Sequence, residues 1–136
     1  MASRTRFVLD TSAVLALRSN EPGAGRVESL LRAARGGRVQ VLLSFMTRME
    51  ILYRVSSDEG ADEAASAIRL LDATRVAWVS CEEAILRQAA RIKAGGGLSV
   101  ADAWIAATAL QREAVLIHKD PEFTRLRDVA QERLPG

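Results

Sequence analysis

Four carboxylates in this 136-residue chain stand where carboxylates are costly. Asp10 directly follows the apolar run Phe7-Val8-Leu9, and Asp120 closes Val115-Leu116-Ile117-His118-Lys119. Glu50 sits between Met49 and Ile51-Leu52, and Asp102 lies among Val100, Ala101, Ala103 and Trp104. If folding brought them together, each pair about 4 Å apart would repel by about 4 kcal/mol at an effective dielectric of 20. Such a pocket must raise its own pKa values or bind a cation. His118 is the only histidine and Cys81 the only cysteine, so no nitrogen and sulfur ligand set competes. Oxygen ligands alone select hard ions such as Mg²⁺ or Mn²⁺. Waters held by such an ion are acidified, and one can attack a phosphodiester while the ion stabilises the developing charge.

Each acid also has a plain structural use. Asp10 and Asp120 can cap the helix that follows. Asp102 completes a Ser99-x-x-Asp102 capping box. Glu50 can pair with Arg54 one helical turn on. Taken singly, neither use prevails; their joint placement along the chain is what carries weight.

The elements that would position them read as follows. Phe7 to Leu9 is a short strand ending at Asp10, and Ser12 to Leu17 a short helix stopped by Ser19, Asn20, Pro22 and Gly23. Gly25 to Arg35 is helical, with Val27, Leu30, Leu31 and Ala34 on one face. Val39 to Leu43 is a second, almost wholly apolar strand, as strands covered on both faces are. Ser44 or Thr47 can cap the helix that carries Glu50 to about Val55, and a further helix covers 61–73. Val76 to Val79 is a third strand, with Trp78 expected in the core. Ser80-Cys81-Glu82-Glu83 reads as a capping box for a helix to Lys93. Gly95-Gly96-Gly97 connects it to an alanine-rich helix from Ser99 to Leu110; lacking the Lys-Ser/Thr signature, these glycines are not a phosphate loop. Val115 to Ile117 is a fourth strand, followed by a short helix from Pro121. The last nine residues fit either a loose tail or a short edge strand.

Strands alternating with helices predict a single α/β domain over 1–136. The expected architecture is a three-layer α/β/α sandwich with a mainly parallel central sheet of four or five strands. In such sheets ligands gather outside the carboxyl ends of the strands, the edge toward which all four acids would open.

Composition narrows the partners. The chain carries 49% apolar and 26% charged residues, a globular profile. Its net charge of +2 hides an asymmetry. Residues 1–57 hold nine Arg against four acids, whereas 58–136 hold ten basic residues against thirteen acids. A basic half suits a polyanion, although Arg26, Arg32 and Arg35 also fit a solvated helix face. Arg4 and Arg6 before an apolar stretch imitate a secretion signal, but Asp10 in its centre would cost about 2.5–3.5 kcal/mol on insertion. With one cysteine and no membrane-length apolar run, a cytoplasmic location is expected and no membrane partner. A receiver domain would need paired acids after the first strand and an Asp after the third. A haloacid-dehalogenase-type phosphatase would need Asp where Ser12 stands.

Four segments in this order resemble a known family. They are Val8-Leu9-Asp10-Thr11-Ser12-Ala13, Leu43-Ser44 leading to Glu50-Ile51-Leu52-Tyr53-Arg54, Leu98-Ser99-Val100-Ala101-Asp102 running into Ile105 to Ala109, and Asp120-Pro121-Glu122-Phe123. Together they resemble the PIN domain, in particular the VapC-type toxin ribonucleases, over about residues 6–127. The resemblance implies a Mg²⁺- or Mn²⁺-dependent endoribonuclease in which a metal-activated water leaves 5′-phosphate and 3′-hydroxyl ends. It implies that Asp10, Glu50, Asp102 and Asp120 are both the catalytic acids and the metal ligands, with Thr11 and Ser12 orienting the first carboxylate or a metal-bound water. It also implies an RNA substrate, a homodimer and a cognate antitoxin protein whose carboxyl-terminal segment covers the groove.

The chain departs from the family pattern at His118, where a Thr or Ser is common. An imidazole there could support a neighbouring carboxylate, touch RNA or ligate metal. Lys119 beside it could touch phosphate. Trp104, two residues after Asp102, could line the groove, pack in the core or face a partner. Two other functions are kept in view: a non-catalytic PIN-like module that binds RNA or protein, and a nuclease acting on DNA.

Overall fold

The computed structural model describes residues 4–136. Five strands, β1 (Thr5–Leu9), β2 (Val39–Ser44), β3 (Val76–Val79), β4 (Val115–His118) and β5 (Gln131–Arg133), form one sheet in the order β3-β2-β1-β4-β5. Every pairing is parallel. The helices are α1 (Thr11–Arg18), α2 (Ala24–Arg35), α3 (Phe45–Glu59), α4 (Ala61–Asp72), α5 (Glu83–Ala94) and α6 (Val100–Gln111), with a 3-10 turn at Pro121–Arg125.

The pleat divides the strands' side chains between two cores. Phe7, Leu9, Val41, Leu43 and Ile117 join α1 to α4 on one face. Val8, Leu42 and Leu116 join α5 and α6 on the other. Alternate residues of one strand thus serve opposite layers, which is why the buried stretches Phe7–Leu9, Val41–Leu43 and Val115–Ile117 are apolar on both faces. Helix α6 buries Ala103, Ile105, Ala106, Ala107 and Ala109, and small side chains let it lie close to both the sheet and α5. This is the expected α/β/α sandwich, with five strands.

The end of the chain is an edge strand, not a loose tail: β5 pairs with β4 in the register Leu116–Gln131 to His118–Arg133. One local expectation fails and another holds in part. Ser80 does not cap α5, whose N-cap is Glu82 without a side-chain bond, because the backbone stays non-helical through Glu82 after β3 ends. Trp78 packs against the core but stays half-buried on the outermost strand, where Arg48 stacks 5.0 Å from its ring and its indole donates to Asp72. An edge strand has a neighbour on one side only, so its large residues stay partly open.

The strand order reverses next to β1. The chain adds β2 and β3 on one side, then crosses to place β4 on the other. The crevice at this switch point, outside the carboxyl ends of β1 and β4, is where an open parallel sheet receives ligands. Among the described residues, no helix is long and apolar enough to cross a membrane.

Candidate active site

Asp10 is the first residue past β1 and only 3% exposed. Its backbone N–H donates to the Ile117 carbonyl of β4 (3.0 Å), which fixes it at the switch point. Its Oδ1 accepts from Ala13 N–H (2.9 Å) and from the Ser12 hydroxyl (2.7 Å). It therefore does cap α1. The Ser12 oxygen in turn accepts from Lys119 N–H (3.0 Å), clasping the end of β4 to the start of α1.

Capping does not exhaust Asp10. Its pKa is pushed up from 3.8 to about 7, first by burial and further by the charges of Asp102 and Asp120, against the lowering pull of its two hydrogen bonds. Asp102, half-buried in the first turn of α6, is pushed up to about 6 by burial, then by Asp120, Glu50 and Glu122. Ser99 caps that helix by accepting from Asp102 N–H (3.1 Å). Asp120 caps the 3-10 turn, its Oδ1 accepting from Glu122 N–H (2.9 Å). Carboxylate oxygens of Asp102, Asp120 and Glu122 all lie within 4.8 Å of one another.

Glu50 comes from α3, and its Oε1 accepts from the Thr11 hydroxyl at 2.6 Å. Thr11 and Thr47 are buried and 3.2 Å apart, so the start of α1 and the first turns of α3 hold Glu50 between them. The two hydroxyl residues after Asp10 thus divide their work: Ser12 orients Asp10 and Thr11 orients Glu50. No ion pair links Glu50 to Arg54 among the described residues. Trp104 packs edge-on against Phe45, ring centres 5.0 Å apart, and ties α6 to the start of α3. Its indole N–H is buried and finds no acceptor among the described residues.

The structure therefore brings Asp102, Asp120 and Glu122 into one tight group. Asp10 lies deeper, where the charges of Asp102 and Asp120 raise its pKa, and Glu50 lies to the side, its charge raising that of Asp102. Helices α1, α3 and α6 all begin at this edge, each with a side-chain oxygen on its N-terminal amides. Their positive dipole ends offset part of the repulsion. Glu122 was not among the residues singled out by sequence. In Asp120-Pro121-Glu122 it reads as an ordinary first-turn acid, and only the tight 3-10 turn swings it beside Asp120.

Two expectations are corrected. His118 is fully buried, so it touches no RNA. Both its nitrogens are engaged, Nδ1 by Asp120 N–H (3.2 Å) and Nε2 by Gln131 Oε1 (2.8 Å), which leaves none for a metal. Burial also pulls its pKa below the ordinary value, which keeps the ring neutral. The Lys119 ammonium donates to the Pro22 carbonyl (3.0 Å) and pairs with Glu21, so it points away from the carboxylates to brace the loop before α2. Of the basic half, Arg26 forms a two-pronged pair with Glu132 and Arg32 pairs with Glu28, as on a solvated face.

No curated protein sequence matches the chain. Solved structures do. A VapBC-1 structure from nontypeable Haemophilus influenzae is 26% identical over 95% of this chain and 98% of its own, with a TM-score of 0.72. VapBC2 from Rickettsia felis, bound to a DNA fragment from its promoter, is 16% identical over 96% of this chain and 100% of its own, with a TM-score of 0.77. VapC20 of Mycobacterium tuberculosis, a sarcin-ricin loop cleaving toxin, is 17% identical over 88% of this chain and 94% of its own, with a TM-score of 0.69. The model of the PIN domain matches residues 7–129, from the first strand through the carboxylate-bearing turn. With that match over nearly its whole length, the chain belongs to the PIN domain family.

Proposed function

We propose that this protein is a divalent-metal-dependent endoribonuclease and the toxin of a toxin–antitoxin pair. One observation carries the reading. Asp102, Asp120 and Glu122 bring carboxylate oxygens within 4.8 Å of one another at the switch point, with Asp10 and Glu50 beside them, and burial followed by mutual repulsion pushes Asp10 to about 7 and Asp102 to about 6. A dication bound among such carboxyl groups would favour their charged forms and offset their mutual repulsion. The donor set is oxygen only, which fits Mg²⁺ or Mn²⁺. Asp102, Asp120 and Glu122 would hold the ion together with Asp10, and Glu50 completes the negative wall. When bound, the ion supplies charge neutralisation to a phosphodiester and a nucleophile at neutral pH. The protein's share is to hold the acids. Ser12 and Ala13 pin Asp10, Thr11 pins Glu50, and the cap on Glu122 N–H pins Asp120.

RNA and single-stranded DNA would be offered to the purified protein with Mg²⁺, Mn²⁺ or EDTA. RNA cleavage with either metal and none in EDTA is the expected result, with DNA left intact. Cleavage that survives EDTA sinks the mechanism. Cleavage of DNA instead makes the protein a DNA nuclease, and no cleavage of a broad RNA panel makes it a binding module.

Two apolar surfaces support the proposed partners. A groove of about 460 Å³ between α1, α2, α3 and α4 is lined by Val14, Leu17, Leu31, Ile51, Leu71 and the 63%-exposed Leu70. It suits the apolar face of an antitoxin segment. On α3, Met49, Leu52 and Tyr53 expose a stripe at helical spacing that suits a second copy of the chain. Light scattering on the protein alone and co-expressed with a candidate antitoxin reads both. Leu70→Arg should release the candidate antitoxin and lower the mass of the mixed assembly, and Tyr53→Asp should halve the mass of the protein alone. Neither change moving the mass would refute both assignments.

A further inference from the structure

The family resemblance leads one to expect a hydroxyl at position 118, and this chain has an imidazole there, fully buried behind the carboxylates. A hydroxyl offers one oxygen; an imidazole offers two nitrogens that point apart. Both are used. Nδ1 accepts the Asp120 backbone N–H at 3.2 Å, which requires Nδ1 to be unprotonated and the ring proton to sit on Nε2. Nε2–H then donates to Gln131 Oε1 at 2.8 Å. The other end of the same amide donates to the carbonyls of Phe123 (3.0 Å), Leu126 (3.1 Å) and Val129 (3.3 Å). Gln131 thus gathers three carbonyls from the segment between the Asp120–Glu122 turn and β5. The Phe123 ring packs 5.0 Å from the imidazole, and Leu134 N–H donates to the His118 carbonyl at 2.7 Å. At the far end of the turn Arg125 lies against Gly97, whose φ of +87° and lack of Cβ make room for the guanidinium. Two side chains therefore span the whole segment that presents Asp120 and Glu122.

We propose that His118 and Gln131 are positioning residues for the cation-binding carboxylates. The neutral imidazole fixes the backbone of Asp120, and Gln131 fixes the turn that carries Glu122. Metal affinity then depends on the hydrogen-bond pattern of residue 118 and not merely on its volume. The inference rests on reading the carboxylates as a cation site.

Two near-isosteric variants separate pattern from packing. In His118→Asn the amide oxygen takes the place of Nδ1, keeping the acceptor for Asp120 N–H. In His118→Gln the amide nitrogen takes the place of Nε2, keeping the donor to Gln131 and losing that acceptor. Mn²⁺ affinity would be measured by titration calorimetry at pH 7.5, beside the metal-free melting temperature. Loss of a partner behind a metal ligand typically weakens affinity about 10–100-fold. His118→Gln should fall in that range, whereas His118→Asn should stay within about fivefold of wild type. Gln131→Met should weaken Mn²⁺ about tenfold, and saturating Mn²⁺ should restore most RNA cleavage to each weakened variant. Equal affinities in the Asn and Gln variants, with only the melting temperature lowered, overturn the proposal and leave a packing role. If His118→Gln does not fold, Gln131→Met decides, and a wild-type affinity there overturns it. Wild-type protein that takes up no Mn²⁺ sinks the carboxylate reading as well, whereas wild-type binding with insensitive variants sinks this inference alone.

Discussion

Asp10→Asn should keep the fold and lose the chemistry. Asparagine is as good an N-cap as aspartate, because its Oδ1 can still accept from Ala13 N–H and from the Ser12 hydroxyl. The backbone bond from residue 10 to Ile117 is untouched. What disappears is one negative charge at the deepest point of the crevice. Partners behind a metal ligand are worth about 10–100-fold, so a direct ligand should cost more, on the order of 1000-fold in RNA cleavage at fixed Mg²⁺. Circular dichroism and melting would show a native fold, and gel assays of RNA cleavage would show the loss. The substitution therefore separates the two uses of Asp10. If its only role were capping α1, cleavage by Asp10→Asn would match wild type, and the proposed mechanism would fail.

The second large effect is on stability, and its sign is the reverse of the usual carboxylate case. A salt-bridged aspartate has a lowered pKa and loses stability in acid. Asp10 and Asp102 are raised, to about 7 and about 6. Between about pH 4 and pH 7 the unfolded chain has released these protons while the metal-free folded protein still holds them. The folded state then binds more protons, so its stability falls as pH rises through that window. For buried Asp10, a rise of roughly 3 pH units from 3.8 corresponds to about 4 kcal/mol as an upper bound, at 1.36 kcal/mol per unit. In a domain of this size that is on the order of 10 °C in melting temperature.

Three results should follow in thermal melts. In EDTA, wild type should lose stability between pH 5 and 7.5, and Asp10→Asn should lose clearly less and melt above wild type at pH 7.5. Mn²⁺ at about 100 times its Kd should return about 2.7 kcal/mol to wild type at pH 7.5. That gain should shrink at pH 5, where protons compete for the same oxygens, and it should shrink in Asp10→Asn. A metal-free wild type whose pH slope matches that of Asp10→Asn would show that these acids neither repel nor sit desolvated as described.

Much of this arrangement is legible in the order of residues, and the places where it is not have a common cause. The ends of β1, β2 and β4 follow from apolar runs that stop at Asp10, Ser44 and the His118–Asp120 turn. A parallel sheet then sends the acids beyond them to one edge. Ser44, Ser99 and Asp10 act as the caps that their local patterns announce. Ser80 does not, because the same pattern can lie in chain that is still extended. Glu122 is not legible as a site residue because nothing within three residues distinguishes it from a solvated acid of a first turn. Adjacency to Asp120 in sequence leaves open whether Lys119 touches phosphate and whether His118 supports a carboxylate, touches RNA or binds metal. One points to Pro22 and the other into the core.

The linear order of residues was sufficient for strand ends, helix starts and the edge on which the acids emerge, because these follow from interactions between near neighbours in the chain. Distances between acids were beyond it, and so were the long-range partners that hold them. Thr11 reaches Glu50 across 39 positions, Lys119 N–H reaches Ser12 across 107, and Gln131 supports His118 across 13. Burial and repulsion scale with separation through space, so the ionisation of Asp10 and Asp102 exists only once α6 and the turn after β4 have packed over the end of β1.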